Sequence, residues 1–195
     1  MTDSLLLSCT STAVFTASAL WFAKLVLRRG TAPAERVNCA AHLCMSVLML
    51  LMLWSWPSLP MLPQLVGFTA ATLWFAAQCV LAGSRSKRAE HLHHAVMMGA
   101  MLWMVAAMAV LPHSPAHAAA HHGSAAPTST IPVSAAVLTA GLGLLLIASS
   151  LRWIASAVDT ARSVPVIRVG SIAVPACHGA MALSMGMLLL TMLLP

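Results

Sequence analysis

Six apolar runs dominate the chain, at approximately Ser4–Leu27, Val37–Trp54, Gln64–Ala82, His91–Leu111, Val133–Leu151 and Val169–Leu194. Each has roughly the 17–25 residues that a helix needs to cross a bilayer core. Only a helix or a closed barrel satisfies its own backbone inside lipid, and runs of this length predict helices. The expected fold is therefore an all-α integral membrane protein of six transmembrane helices. Composition supports this over a soluble alternative. Of 195 residues, 60% are hydrophobic and 7% charged, with a mean hydropathy of +0.90. So few charges cannot cover a soluble globule, which excludes a soluble enzyme, a disordered chain and a nucleic-acid binder.

Charge placement sets the expected topology. Lys24, Arg28, Arg29 and Arg36 surround the first connection; Arg85, Lys87 and Arg88 lie in the third; Arg152, Arg162 and Arg168 flank or lie in the fifth. The second connection, Ser55–Pro63, carries no charge, and Pro112–Pro132 carries none when its histidines are neutral. Basic residues stay on the cytoplasmic side. The expectation is a multi-pass protein of a bacterial cell (inner) membrane with both termini outside. The net charge of +6 then reports topology, not an anionic partner. The first run lacks a basic leading segment and has its positive cluster at the far end, so it is read as a retained span and not a signal peptide.

An internal repeat organises these spans into three helical hairpins, at about 4–57, 64–111 and 132–195 of a single membrane domain (1–195). The odd spans carry Leu20-Trp21-Phe22-Ala23, Leu73-Trp74-Phe75-Ala76 and Arg152-Trp153-Ile154-Ala155, with each Trp towards the cytoplasmic end. The even spans carry H-x-x-M-x-x-x-M three times: His42, Met45, Met49; His94, Met97, Met101; His178, Met181, Met185. Met52 and Met104 extend the face in two copies, and Met108 and Met192 occupy the position after that in the second and third. A period of this size makes the hairpin the repeating unit.

Positions i, i+3 and i+7 share one helix face, so each even span presents a single His/Met stripe. Packed around a pseudo-threefold axis with even helices inside, the hairpins would stack a His layer beneath two Met layers. The histidines would lie roughly 6–14 Å in from the cytoplasmic boundary at 1.5 Å per residue. An intramembrane imidazole without a partner is costly and hence a functional candidate. Neutral thioether sulfur suits Cu(I) and not hard cations, and successive weak layers suit passage of an ion. The extracytoplasmic segment 112–131 holds His113, His117, His121 and His122, a tract able to capture metal or simply a polar linker.

Other readings stand beside this one. Met stripes commonly serve as packing. His91 and His93, beside Glu90 and Arg88, fit interfacial solvation. Cys39 and Cys177 are read as buried thiols with the option of joining the His layer; the five cysteines form no CxxC. Gly99, Gly179 and Gly186 allow close helix approach, and Pro175 can kink the sixth span near His178. The four acids, Asp3, Glu35, Glu90 and Asp159, lie outside the spans, so no acid/base pair or proton relay is expected and no enzyme activity is assigned.

Two resemblances follow from these residues. The stretches AHLCMSVLMLLML, HAVMMGAMLWM and CHGAMALSMGMLLL resemble the signature helices of an uncharacterised actinobacterial membrane family, whose members repeat H-x-x-M-x-x-x-M on about six spans. That likeness implies the architecture and no activity. The M-x-x-x-M element is also similar to that of Ctr-type copper importers, trimers in which such methionines ring a pore; here there are two spans per unit instead of three, and a His layer in addition. The resulting expectation is a Cu(I)-binding membrane protein that transports or delivers the ion, with the bilayer and a metal ion as partners, no nucleic acid, and any protein partner open. Haem held between His and Met is the alternative cofactor, and a Met-packed structural subunit the alternative role.

Overall fold

The computed structural model describes residues 2–54, 60–110, 132–163 and 169–193. Among them every regular element is a helix: α1 (Thr2–Leu27), α2 (Pro33–Leu53), α3 (Met61–Leu81), α4 (Arg85–Val110), α5 (Val133–Ser163) and α6 (Val169–Thr191). All six are long and apolar enough to cross a membrane. The six apolar runs thus predict the elements and most of their ends. Two helices outrun the apolar windows by six residues or more. α4 begins at Arg85, where the Ser84 hydroxyl accepts the Lys87 amide at 3.3 Å and caps its first turn. α5 continues to Ser163 beyond the apolar window, with Ala157 buried and Arg152, Ser156 and Asp159 exposed.

Local chemistry explains the breaks. Gly30 turns the chain between α1 and α2 with a φ of 90°, a conformation only glycine adopts without cost. Pro33 then opens α2, where its missing N–H is not needed. Hydroxyls within the helices donate to carbonyls of the preceding turn, as in Thr12 to Ser8 (2.7 Å), Thr72 to Phe68 (2.7 Å) and Thr139 to Ala135 (2.8 Å). Polar side chains satisfied in this way are compatible with lipid.

The helices form two compact units. The first comprises Met1–Leu59 and Leu146–Met185, the second Pro60–Leu145 and Gly186–Pro195. In the first, α1 packs on α2, and the Trp54 indole N–H donates to Thr12 Oγ1 at 3.1 Å, joining the end of α2 to the first half of α1. α5 meets α6 closely there: a Cβ on Gly179 would lie 3.1 Å from Ile154 Cγ1. The core holds Phe15, Phe22, Met45, Met49, Leu146, Met181 and Met185 with Ser46 and Ser150.

In the second unit α3 packs on α4, and the Cys79 thiol reaches the Arg88 carbonyl at 3.4 Å where the two helices meet. The Trp103 indole N–H donates to Thr139 Oγ1 at 2.9 Å, bringing α4 to the start of α5. A Cβ on Gly143 would lie 3.1 Å from Leu190 and 3.2 Å from the Gly186 carbonyl oxygen. Phe68, Phe75, Met97, Met98, Met101, Met104 and Leu189 fill this core.

Candidate metal centre

His42, His94 and His178 each stand nine residues after the first residue of their helix, Pro33, Arg85 and Val169 respectively. All three are buried, at 2%, 4% and 5% exposure. The six motif methionines are buried as completely: Met49 is the most exposed, at 3%, and the other five are at 0%. One helix face in each copy is therefore the core face, as the repeat predicts. Further along, the stripe fades. Met104 stays buried, Met52 and Met192 are half-buried, and Met108 is exposed towards the end of α4.

In the first unit His42 and His178 come together. Their ring centroids are 4.8 Å apart in an edge arrangement. Phe22 lies against both rings, at 5.1 Å from His42 and 5.4 Å from His178. Trp153 covers His178 at 5.1 Å. His42 Nδ1 lies 2.8 Å from the Asn38 carbonyl oxygen. A carbonyl only accepts, so Nδ1 carries the proton and Nε2 carries the lone pair. A backbone contact that fixes the tautomer and ring angle in this way is the usual support of a metal-ligating imidazole.

Below the rings, the Ser46 hydroxyl donates to the His42 carbonyl at 2.8 Å and lies 3.4 Å from Met181 Sδ. This places the Met181 thioether one turn from the His42 backbone.

In the second unit His94 packs on Phe75 at 5.2 Å, the counterpart of Phe22 in the repeat. His93 lies 5.5 Å from His94 and is 8% exposed. It belongs to the core, not to the solvated edge expected for it. His91 is partly buried, and its Nδ1 is enclosed without a hydrogen-bond partner. The reason is the six-residue extension of α4 before His91, which carries these histidines inside the packed helix.

Each of these buried histidines offers a ring nitrogen able to ligate a metal ion, and within the first unit His42 and His178 bring two such rings together. The residues of the predicted outer tract, His113, His117, His121 and His122, lie outside the described residues. The aromatic backing was missed by the sequence reading, which took from these elements only a Trp towards the cytoplasmic end. A signal was present: all four phenylalanines form two i, i+7 pairs, Phe15/Phe22 and Phe68/Phe75, and all are buried. In the third copy the same spacing links Leu146 and Trp153, shifting the stacking residue from the position after Trp to Trp itself.

Residues 34–192 match the domain of unknown function DUF5134. The chain belongs to this family. The match takes in α2 through α6 and all three His/Met stripes of this DUF5134 protein, while α1 precedes it. No curated protein and no solved structure matches the chain.

Proposed function

We propose that this DUF5134 protein spans the cell membrane six times and holds Cu(I) along an axis lined by histidine and methionine. The three hairpins would pack about a pseudo-threefold axis, with His42, His94 and His178 in one layer. Met45, Met97 and Met181, then Met49, Met101 and Met185, would form the layers beyond it. The observation that carries this reading is the shared register: three histidines at the same depth in their helices, all buried, each followed by two buried methionines. Packing alone asks for apolar bulk on that face and has no use for a buried imidazole at one position.

The donors also select the ion. Imidazole and thioether are neutral, and Glu35, Glu90 and Asp159 are exposed. Soft, neutral donors favour Cu(I). The role is binding and transfer, not catalysis, and the methionine layers correspond to the rings of Ctr-type importers. The basic residues at the starts of α2 and α4 support an orientation with the His layer towards the cytoplasm and both termini outside. His113, His117, His121 and His122 would then collect metal on the outer side.

Anaerobic Cu(I) titration against a competing chelator tests the proposal. The wild-type chain binds Cu(I), and His94→Ala and Met97→Leu each lower the affinity by roughly tenfold or more, the scale of losses at metal sites. Unchanged affinity and stoichiometry in both variants would remove the site. A Soret band in the purified protein would replace copper with haem.

A further inference from the structure

One helical turn before the motif histidine, the repeat carries a second metal-ligating side chain in two of its three copies. On α2 this is Cys39, three residues before His42; on α4 it is His91, three residues before His94. Both stand six residues after the first residue of their helix, so they share a register as the motif histidines do. Residues three apart on a helix are neighbours, with Cβ atoms about 5–6 Å apart, close enough for one ion to pass between their donor atoms.

Neither residue behaves as surface decoration. Cys39 is 7% exposed, although it lies only six residues into α2, and it shares the buried face of His42, Met45 and Met49. His91 has an enclosed Nδ1 with no hydrogen-bond partner, a polar atom withheld from water and left with its bonding capacity unspent. The third copy has Pro175 at this position, which offers no donor. Cys39-x-x-His42 and His91-x-x-His94 therefore each set two side chains of metal-ligating type one turn apart on a single helix.

We propose that Cys39 and His91 are transfer donors, which exchange Cu(I) between the basic end of the helices and the buried histidine layer. This rests on the Cu(I) reading above and adds its point of entry or exit. An ion bound at Cys39 displaces the thiol proton; its passage to the His42 lone pair returns a proton to the sulfur. At His91 the ion uses a ring lone pair and no proton moves. Soft sulfur and imidazole form short-lived, exchangeable bonds with Cu(I) and suit a hand-over by stepwise ligand replacement.

The test is the rate at which the full chain in lipid nanodiscs takes up Cu(I) from a competing chelator, compared with its equilibrium occupancy. Cys39→Ser with His91→Gln slows uptake by on the order of tenfold, as loss of supporting donors does at metal sites, while final stoichiometry is kept. Cys39→Met, which restores a soft sulfur, recovers the rate in the His91→Gln background; Cys39→Ser, closer in size to cysteine, does not. A merely structural role would give the opposite order. Uptake as fast in the double variant as in the wild type overturns the proposal. The His94→Ala and Met97→Leu arms separate the two levels: if both leave equilibrium affinity and stoichiometry intact, the Cu(I) site itself fails and the transfer donors with it.

Discussion

The tightest contact between α5 and α6 near the histidines is at Gly179, the residue after His178. A Cβ there would lie 3.1 Å from Ile154 Cγ1, 3.3 Å from Trp153 Cβ and 3.4 Å from the Ile154 amide nitrogen. Carbon atoms pack best at about 3.5–4.0 Å, so the Ile154 and Trp153 carbons are too near, while the amide nitrogen is at ordinary contact. Ile154 is 40% exposed and its side chain can turn outward. The Trp153 Cβ, one bond from the backbone, cannot, so Gly179→Ala has to push α5 away from α6 by a few tenths of an ångström. Forcing an extra carbon into a packed core costs about 1–3 kcal/mol. Against this, alanine is about 1 kcal/mol better than glycine within a helix.

Gly99→Ala isolates the packing term. Its Cβ would meet only Thr72 Cγ2, at an ordinary 3.9 Å. It gains the same helix preference without the clash, so the propensity cancels between the two variants. Gly179→Ala is then expected to be less stable than Gly99→Ala by about 1–3 kcal/mol. At about 2–4 °C per kcal/mol for a chain of this size, the melting temperatures differ by roughly 2–12 °C. Thermal unfolding of both variants in nanodiscs measures this. Because Trp153 also covers His178, the same displacement weakens Cu(I) binding in Gly179→Ala and spares it in Gly99→Ala. A Gly179→Ala protein as stable as Gly99→Ala would refute the close approach of α5 to α6.

Two further outcomes follow from the packing. Phe22→Leu keeps most of the buried volume but removes the ring that lies on His42 and His178, so protein yield and melting temperature change little while Cu(I) affinity falls; equal affinity would show the aromatic to be passive. Trp103→Phe deletes the 2.9 Å bond to Thr139 and costs about 0.5–1.5 kcal/mol, read as a lower melting temperature with Cu(I) affinity retained.

The helices and the core face were legible because each rests on local periodicity. Apolar length gave six spans, and the i, i+3, i+7 spacing of His42, Met45 and Met49 and their two copies gave the buried stripe. Helix ends were less legible where the helix leaves the apolar window: nothing in hydropathy marks Arg152 to Ser163 as helical, since Arg152, Asp159 and Arg162 end the apolar run while the helix goes on. That same limit misplaced His93, because a histidine beside Arg88 and Glu90 has the composition of an interface whichever way the helix turns it. The aromatic partners were hidden for a different reason. Phe22 stacks on His42 from another helix, and a contact between residues twenty apart leaves no trace in the periodicity of either segment.

Under the proposed function, the charge of the donors around the motif histidines decides which ion they accept. Moving an ion from water into a low-dielectric interior costs an amount that grows with the square of its charge, on the order of 20 kcal/mol in the idealised case for a single charge and about four times that for a double one. Imidazole and thioether dipoles return part of this cost, and a carboxylate would return more. Glu35, Glu90 and Asp159 are exposed, and Asp159 is the only one of them beyond α4. The neutral donors around His42 and His178 therefore suit a single positive charge and leave a divalent ion largely uncompensated. Ag(I), soft and monovalent, is expected to compete with Cu(I) for the protein, whereas Zn(II), which imidazoles bind well in sites open to water or carboxylate, is not. Competition titrations with both ions check this. Displacement of Cu(I) by equimolar Zn(II) would mean that charge is compensated within the layer, and that the stripes of methionine are packing after all.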